Sequence, residues 1–599
     1  MRLWTALFLG LALGPAGHAT DAGLVFTNAG HFGGRTSAAE VQGSYLYYSQ
    51  AADLIVRDLR SKKDAARLTL PGAIRKVRAA AGYVYAACAD AGLVIVDVAI
   101  PTAPRVASTL QLAGFSQGLQ LMDPYAFVVA GNRAVYLVDY SDRNHPRLVT
   151  TVFESYYVED VVAAAGALYV SDGVNGLRVY DIATIESPRF AGSLENVRYN
   201  GRLTVSGTYL YDSLLDGGLA VYDISDRFAP REVAVQNLPG RAADLDLAGK
   251  RLYVCNGGGG LSILDVSNPR SPSVLSTLST TAVDGSLSQS TYYLASDFSG
   301  LVTVDVSDAR EPRVKDRRRT LGVARSLDVA SGKAYIADFH NGFSVLDISS
   351  PSAITISSSL DLSSSPLDAR VSGGKAYVAC GTGGMRILSV SGAVRQVGTY
   401  SAAAYAVALL GTNAVVARGS AGIDVVDVSD SAKPRRVASL ALGGWVDCIA
   451  VRGNVAYAGN GSDLFVISLP KPGAPVISKQ VPLTGTYGLA WQTRYLFAAG
   501  LGSLSVFDLG SPAAPLLLSA LDLTPPQYVR SLSVSGGRAF LASRFSGIDA
   551  YDVSNRSKPV LLGSYLPGFD VSLVRWAKPY LYAGDGRDGG LTVISVAGP

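Results

Sequence analysis

The chain has 599 residues, of which 48% are hydrophobic and 17% charged, with a formal net charge of +4. That length exceeds one ordinary domain, and near neutrality with sparse charge argues against a nucleic-acid-binding protein. Beyond residue 20 only His31, His145 and His340 remain as histidines; they are too scattered for a zinc cluster.

In chain order, Met1 to Ala19 has the layout of a secretory signal: Arg2, an apolar core over 3–16, and small residues at Gly17 and Ala19. The core is too short to span a bilayer, and no later segment is long and apolar enough to be a membrane helix. Leu24–Thr27 reads as a strand without neighbours of its own. From there the chain repeats one unit. Leu93-Val94-Ile95-Val96-Asp97 is an apolar, β-branched run punctuated by Gly92 before it and Asp97 at its end, the pattern of a short strand. The glycine predicts a positive-φ turn. The aspartate predicts an acceptor for backbone N–H groups two residues on.

The exit residue recurs fourteen times, at Asp58, Asp97, Asp139, Asp181, Asp223, Asp265, Asp305, Asp347, Ser389, Asp427, Ser468, Asp508, Asp552 and Ser595, spaced 38 to 44 residues apart. Ten copies carry glycine five positions before the mark, and ten carry proline seven positions after it. Three landmarks in fixed phase, near forty residues apart and with about four short strands per unit, predict propeller blades. In the unit at 74–110 the strands are expected over 74–80, 83–88, 93–98 and 105–110, innermost first. The chain resembles the LVIVD-repeat proteins: residues 93–97 spell the repeat itself, and the likeness spans roughly 35–599. It implies a secreted or cell-surface bacterial or archaeal β-propeller of mostly unassigned function, with no catalytic residues to carry over.

The predicted fold is therefore all-β, with fourteen four-stranded blades. One ring of fourteen exceeds the usual range. Two seven-bladed propellers in tandem, over 20–308 and 309–599, are the simplest division; eight plus six blades, or an open spiral, compete with it. Strand 24–28 is expected to close the blade ending at Asp305, and segment 312–320 the blade ending at Ser595. The basic run Lys315 to Arg319 reads as a charged edge strand that resists aggregation. Cys88, Cys255, Cys380 and Cys448 fall in non-adjacent blades and predict buried free thiols.

No nucleophile elbow, Walker loop or dinucleotide fingerprint occurs in a fitting context. The recurring aspartates lack the alternating spacing of a calcium loop, so they read as turn formers. No cofactor and no metal site is predicted. Residues that vary between blades are the better site candidates. The loops entering the innermost strands carry Arg75, Gln117, Glu159, Asp284 and Arg325 in the first ring, and Asp368, Asp447 and Arg530 in the second. Aromatic residues stand just upstream: Phe115, Tyr157, Tyr199, Trp445, Tyr487, Tyr528 and Phe569. Charges beside aromatic rings at a channel mouth suit recognition; packing of the channel rim is the structural alternative. The chain thus reads as an exported module, periplasmic, extracellular or cell-surface, that binds a protein or glycan partner without catalysis. The alternative is a hydrolase or lyase acting on a polysaccharide or small ester through mouth carboxylates such as Glu159 and Asp284.

Overall fold

The computed structural model describes residues 24–598 apart from 132, 196–198, 472, 484, 525–526, 544–545 and 568–569. The expected signal segment, and Phe569, lie outside the described residues. The chain forms fourteen four-stranded antiparallel sheets and, among the described residues, no α-helix. We number the sheets as blades 1 to 14 in chain order, starting with the strand Ala39–Gln42. In blade 2 the strands are Lys76–Ala80, Tyr83–Ala87, Leu93–Asp97 and Arg105–Leu110, close to the spans the repeat predicts.

Each landmark of the repeat has a physical cause. All eleven exit aspartates accept the backbone N–H two residues on, from Asp58 with Arg60 at 2.8 Å to Asp552 with Ser554 at 2.7 Å. The Ala99 N–H, aided by Arg105, holds the Asp97 carboxyl below its ordinary range; the Ser429 hydroxyl and N–H do the same for Asp427. The repeat glycine is forced by a close approach. At Gly92 (φ +80°) a Cβ would sit 2.2 Å from the carbonyl oxygen of Leu110, where the outer strand ends. The outer strand bulges against the third in every complete repeat; in blade 2 the shift lies between Ile95 and Val96. Opposite the exit residue, blades 2, 3 and 10 place an arginine that pairs with it: Arg105, Arg147 and Arg435. Blades 11 to 13 put exposed Val476, Leu516 and Val560 there instead.

A blade cannot bury both of its faces alone, so neighbouring blades stack. The buried apolar residues fall into clusters that each join two blades, and these clusters trace two closed circuits. Blades 1 to 7 follow in order, and blade 7 returns to blade 1 through Ala39, Leu46, Tyr48 and Ile55 against Ala295 and Leu301. Blades 8 to 14 do the same, with Leu321, Ala324 and Ile336 against Leu573, Tyr582 and Leu591. Side chains lock both closures. Ser286 accepts the Val41 N–H at 3.1 Å in the first, and Ser572 donates to the Ala324 carbonyl at 3.0 Å in the second.

The strand sharing differs from the sequence expectation. Strand Val25–Phe32 pairs with Leu591–Ala597 and completes blade 14, not blade 7. Strand Arg313–Arg318 pairs with Leu301–Asp305 and stays in blade 7. The reason is register: Arg318 meets Leu301 at the same offset at which Leu110 meets Leu93, so the local hairpin supplies the outer strand. Among the described residues, blade 14 alone takes its outer strand from a distant part of the chain. The basic run is a charged edge strand, as expected, but of blade 7, and three of its cations are paired: Lys315 with Asp305, Arg318 with Asp64 of blade 1, Arg319 with Asp361. The four cysteines are free and buried.

The two circuits meet through loops. Gly34 donates to the Leu321 carbonyl at 2.7 Å and Arg35 to the Asp588 carbonyl at 2.7 Å. Phe298 of blade 7 stacks on His340 of blade 8, ring centroids 4.0 Å apart. Asp588, in the last blade, forms an ion pair with Arg75 at the entrance to blade 2.

Candidate binding site at the mouth of the first circuit

A cavity of about 510 Å³ opens over blades 4 to 6. Its walls come from loops that enter the innermost strands and from loops that join the second strand to the third. Tyr157 and Glu159 precede strand Asp160–Ala164, Tyr199 precedes Asn200–Ser206, and Arg241 precedes Asp244–Ala248. Val174 contributes from the short 3-10 turn Gly173–Asn175, and Leu215 and Asp216 from the turn before Gly218–Asp223. Local chemistry fixes the backbone at Tyr157. Gly173 (φ +49°) lies against Tyr157, where a Cβ would come within 3.0 Å of the Tyr157 carbonyl oxygen. Buried Asp172 accepts the Ser155 hydroxyl at 2.6 Å, and that oxygen accepts the Tyr157 N–H at 3.2 Å. Both tyrosines remain about half exposed, at 54% and 50%.

Glu159 is the most buried ionisable group of the cavity, its side chain 26% exposed. Burial pushes its carboxyl above the ordinary value; Arg202 and Arg241 act in the opposite direction without cancelling that. Arg241 is 3.9 Å away and itself 67% exposed, so its pairing is loose. Arg202 spends its Nη1 donor on the Glu159 carbonyl at 2.6 Å rather than on the carboxylate.

Below the mouth, the inner strands of the first circuit carry a buried charge cluster. Lys76 of blade 2 reaches across the channel to Asp244 of blade 6 and Asp284 of blade 7, 2.7 Å from each. Desolvation, then the neighbouring Asp244, push the Asp284 carboxyl up to about 7, while the two carboxylates keep Lys76 charged despite its burial. The Asp284 Oδ1 atom is buried without a hydrogen-bond partner. One layer further along, Arg78 faces Glu40 at 3.4 Å. Inner-strand carboxylates also tie blades together: Asp160 accepts the Leu203 N–H at 3.0 Å and Asp246 the Leu287 N–H at 3.1 Å.

Of the candidates from sequence, the structure brings Tyr157, Glu159 and Tyr199 into one cavity. Arg75 instead is held by Asp588 and lies over Phe115, 5.0 Å from the ring, so it belongs to the junction of the circuits. Gln117 touches the Val158 carbonyl through its amide at 3.3 Å. Asp284 and Asp368 stand one residue further into their strands than Arg75 and Glu159 do. Their partners Ala295 and Ala379 occupy the place of Ala87, the partner of Lys76. With side chains alternating between faces, that single step sends them into the channel. Asp368 is consumed structurally, accepting from Ser326, Arg370 and the Val407 N–H. In the second circuit, Arg325 lies over Phe339 and Arg530 over Tyr528. Tyr528 meets Tyr487 at 4.9 Å, and Trp445 meets Tyr405 at 4.7 Å. Asp447, between them, has its carboxyl raised by burial. Lys76, Asp244, Arg78 and Glu40 escaped the sequence reading. Their signal was charge at alternate positions of innermost strands, where the matching places elsewhere hold small or neutral residues, such as Ala406 and Ala408. Arg241 and Asp216 had no such signal.

Among the described residues no group of three or more His, Cys, Asp or Glu side chains is placed to hold a metal ion, and no helix is long and apolar enough to cross a membrane. No curated protein matches the chain by sequence. Among solved structures it is similar to that of PorZ, described as an essential bacterial surface component of the type-IX secretion system of Porphyromonas gingivalis. The TM-score is 0.67 at 13% identity, covering 95% of this chain and 86% of that one, a likeness of fold. The family model described as LVIVD repeat matches residues 71–110, 113–153, 198–235, 239–280, 321–361, 402–441 and 526–566. These are blades 2, 3, 5, 6, 8, 10 and 13: the chain carries seven LVIVD repeats, distributed across a β-propeller fold.

Proposed function

We propose that this chain is a non-catalytic binding module of the cell exterior or envelope, and that the cavity over blades 4 to 6 is where it holds a protein or glycan partner. The observation that carries this reading is the half-exposed pair Tyr157 and Tyr199 walling a cavity with few, convergent polar groups. The best-placed carboxylate pair for the enzyme alternative does not converge: Glu159 is at the mouth, and Asp284 is bound to Lys76 inside the channel. Export by the segment 1–19 fits the surface role that PorZ's description gives to that protein. The double variant Tyr157→Ala/Tyr199→Ala is expected to lose at least tenfold in partner capture from envelope extract while keeping its melting temperature. Unchanged capture would rule the site out.

The two closed circuits support a division into two seven-bladed propeller domains, with strand Val25–Phe32 belonging to the second although it precedes the first. Scanning calorimetry is expected to resolve two unfolding transitions, of which only one shifts when residues 25–32 are deleted. A single transition in both chains would speak for one continuous unit.

A further inference from the structure

The cavity over blades 4 to 6 is charged in a particular way. Glu159 is mostly withdrawn from water and loosely compensated, and Asp216 stands exposed on the opposite loop. Among the described residues Arg241 is the one cation in the lining. The field from below has the same sign. The inner strands of blades 1 to 7 carry five carboxylates, Glu40, Asp160, Asp244, Asp246 and Asp284, against three cations, Lys76, Arg78 and Arg202. Carboxylates at the floor of a low-dielectric mouth attract positive charge and repel negative. Two tyrosine faces beside them add the ring quadrupole, which also favours a cation. A neutral sugar would gain from the rings but leave the Glu159 charge as it is; an anion would meet it unpaired.

We propose that this cavity receives a lysine or arginine side chain presented by a protein partner, with the side chain between Tyr157 and Tyr199 and its charge on Glu159. This rests on the binding-module reading above and names the chemistry of the partner. Arg241 then acts as the resident competitor: 3.9 Å from Glu159 and largely solvated, it yields that carboxylate to the incoming cation. The role has an unusual consequence, because removing a cation from the site strengthens binding there.

The test is titration of the full chain with Nα-acetyl-arginine amide, tetramethylammonium and the neutral sugar maltotetraose, followed by calorimetry and by the tyrosine resonances. The expected result is binding of both cations, weakened at least tenfold by Glu159→Gln and by Tyr157→Ala, largely preserved in Tyr157→Phe, and falling as salt rises. Arg241→Gln should tighten the arginine amide several-fold. Weaker or unchanged binding in Arg241→Gln overturns the inference, as does absence of cation binding to the wild type. Should maltotetraose alone bind, the cation assignment falls while the binding-module reading stands. That reading fails separately if the double tyrosine variant still captures its partner. Tyr157→Phe keeps the aromatic ring, so a folding defect in Tyr157→Ala leaves the comparison with Glu159→Gln and Arg241→Gln decisive.

Discussion

Replacing Lys76 with methionine is expected to destabilise the protein by about 3–5 kcal/mol at pH 8, the usual cost of stranding a buried charge. Lys76 is 8% exposed, and its ammonium is the shared counter-ion of Asp244 and Asp284, each 2.7 Å away. Methionine fills the same volume without the charge, so two buried carboxylates face one another unpaired. The loss should depend on pH, and its sign is fixed. The folded Asp284 carboxyl already titrates at about 7, above the ordinary value of 3.8. A raised folded value means that the proton stabilises the fold; that contribution is complete below about 4 and disappears as pH rises past the folded value. Removing Lys76 raises the Asp284 carboxyl further, so the variant should recover stability relative to wild type as pH falls from 8 to 5. Urea titrations at both pH values measure this. A deficit that is equal at pH 8 and pH 5 would mean that the carboxylates do not depend on Lys76.

Gly300→Ala should cost about 3 kcal/mol or more, combining a strained backbone with a steric clash. Gly300 has φ +86°, and an added Cβ would lie 2.1 Å from the Arg318 carbonyl oxygen, which belongs to the backbone and has no rotamer to escape by. Arg318 is the last residue of the outer strand of blade 7, so relief of the clash must displace the step into blade 8. Gly43→Ala separates the two contributions. Gly43 has φ +60° and nothing within 4 Å of its added Cβ, so it carries the backbone cost alone, about 1 kcal/mol. Equal losses at the two glycines, measured by denaturant midpoint and slope, would remove the close approach as the reason for the repeat glycine.

Much of the fold was legible because the repeat writes its constraints locally. Asp97 caps the turn that follows its own strand, Gly92 yields to a carbonyl eighteen residues later, and the strands between them pair as hairpins. Each interaction closes within one unit, so ten or more of the fourteen copies report it. The binding cavity was legible only in part. Tyr157, Glu159 and Tyr199 could be picked because they vary at a position where the repeat does not dictate the residue. Asp284 and Asp368 were misassigned by one step along a strand, and in a structure of period two one step exchanges mouth for channel. Arg75 resembled its equivalents in sequence, but its partner Asp588 is 513 residues away and belongs to the other circuit.

By itself, the amino-acid sequence determined the blade: its four strands, the glycine and aspartate that bound the third strand, and the number of copies. Those properties depend on backbone geometry and hydrogen bonds between residues fewer than about forty apart. Tertiary structure alone decided which blades face one another, that Val25–Phe32 completes the last blade, and that Lys76 meets Asp244 and Asp284. Ring closure makes residues neighbours through the stacking of apolar faces, and such faces carry shape and area but no address in the chain.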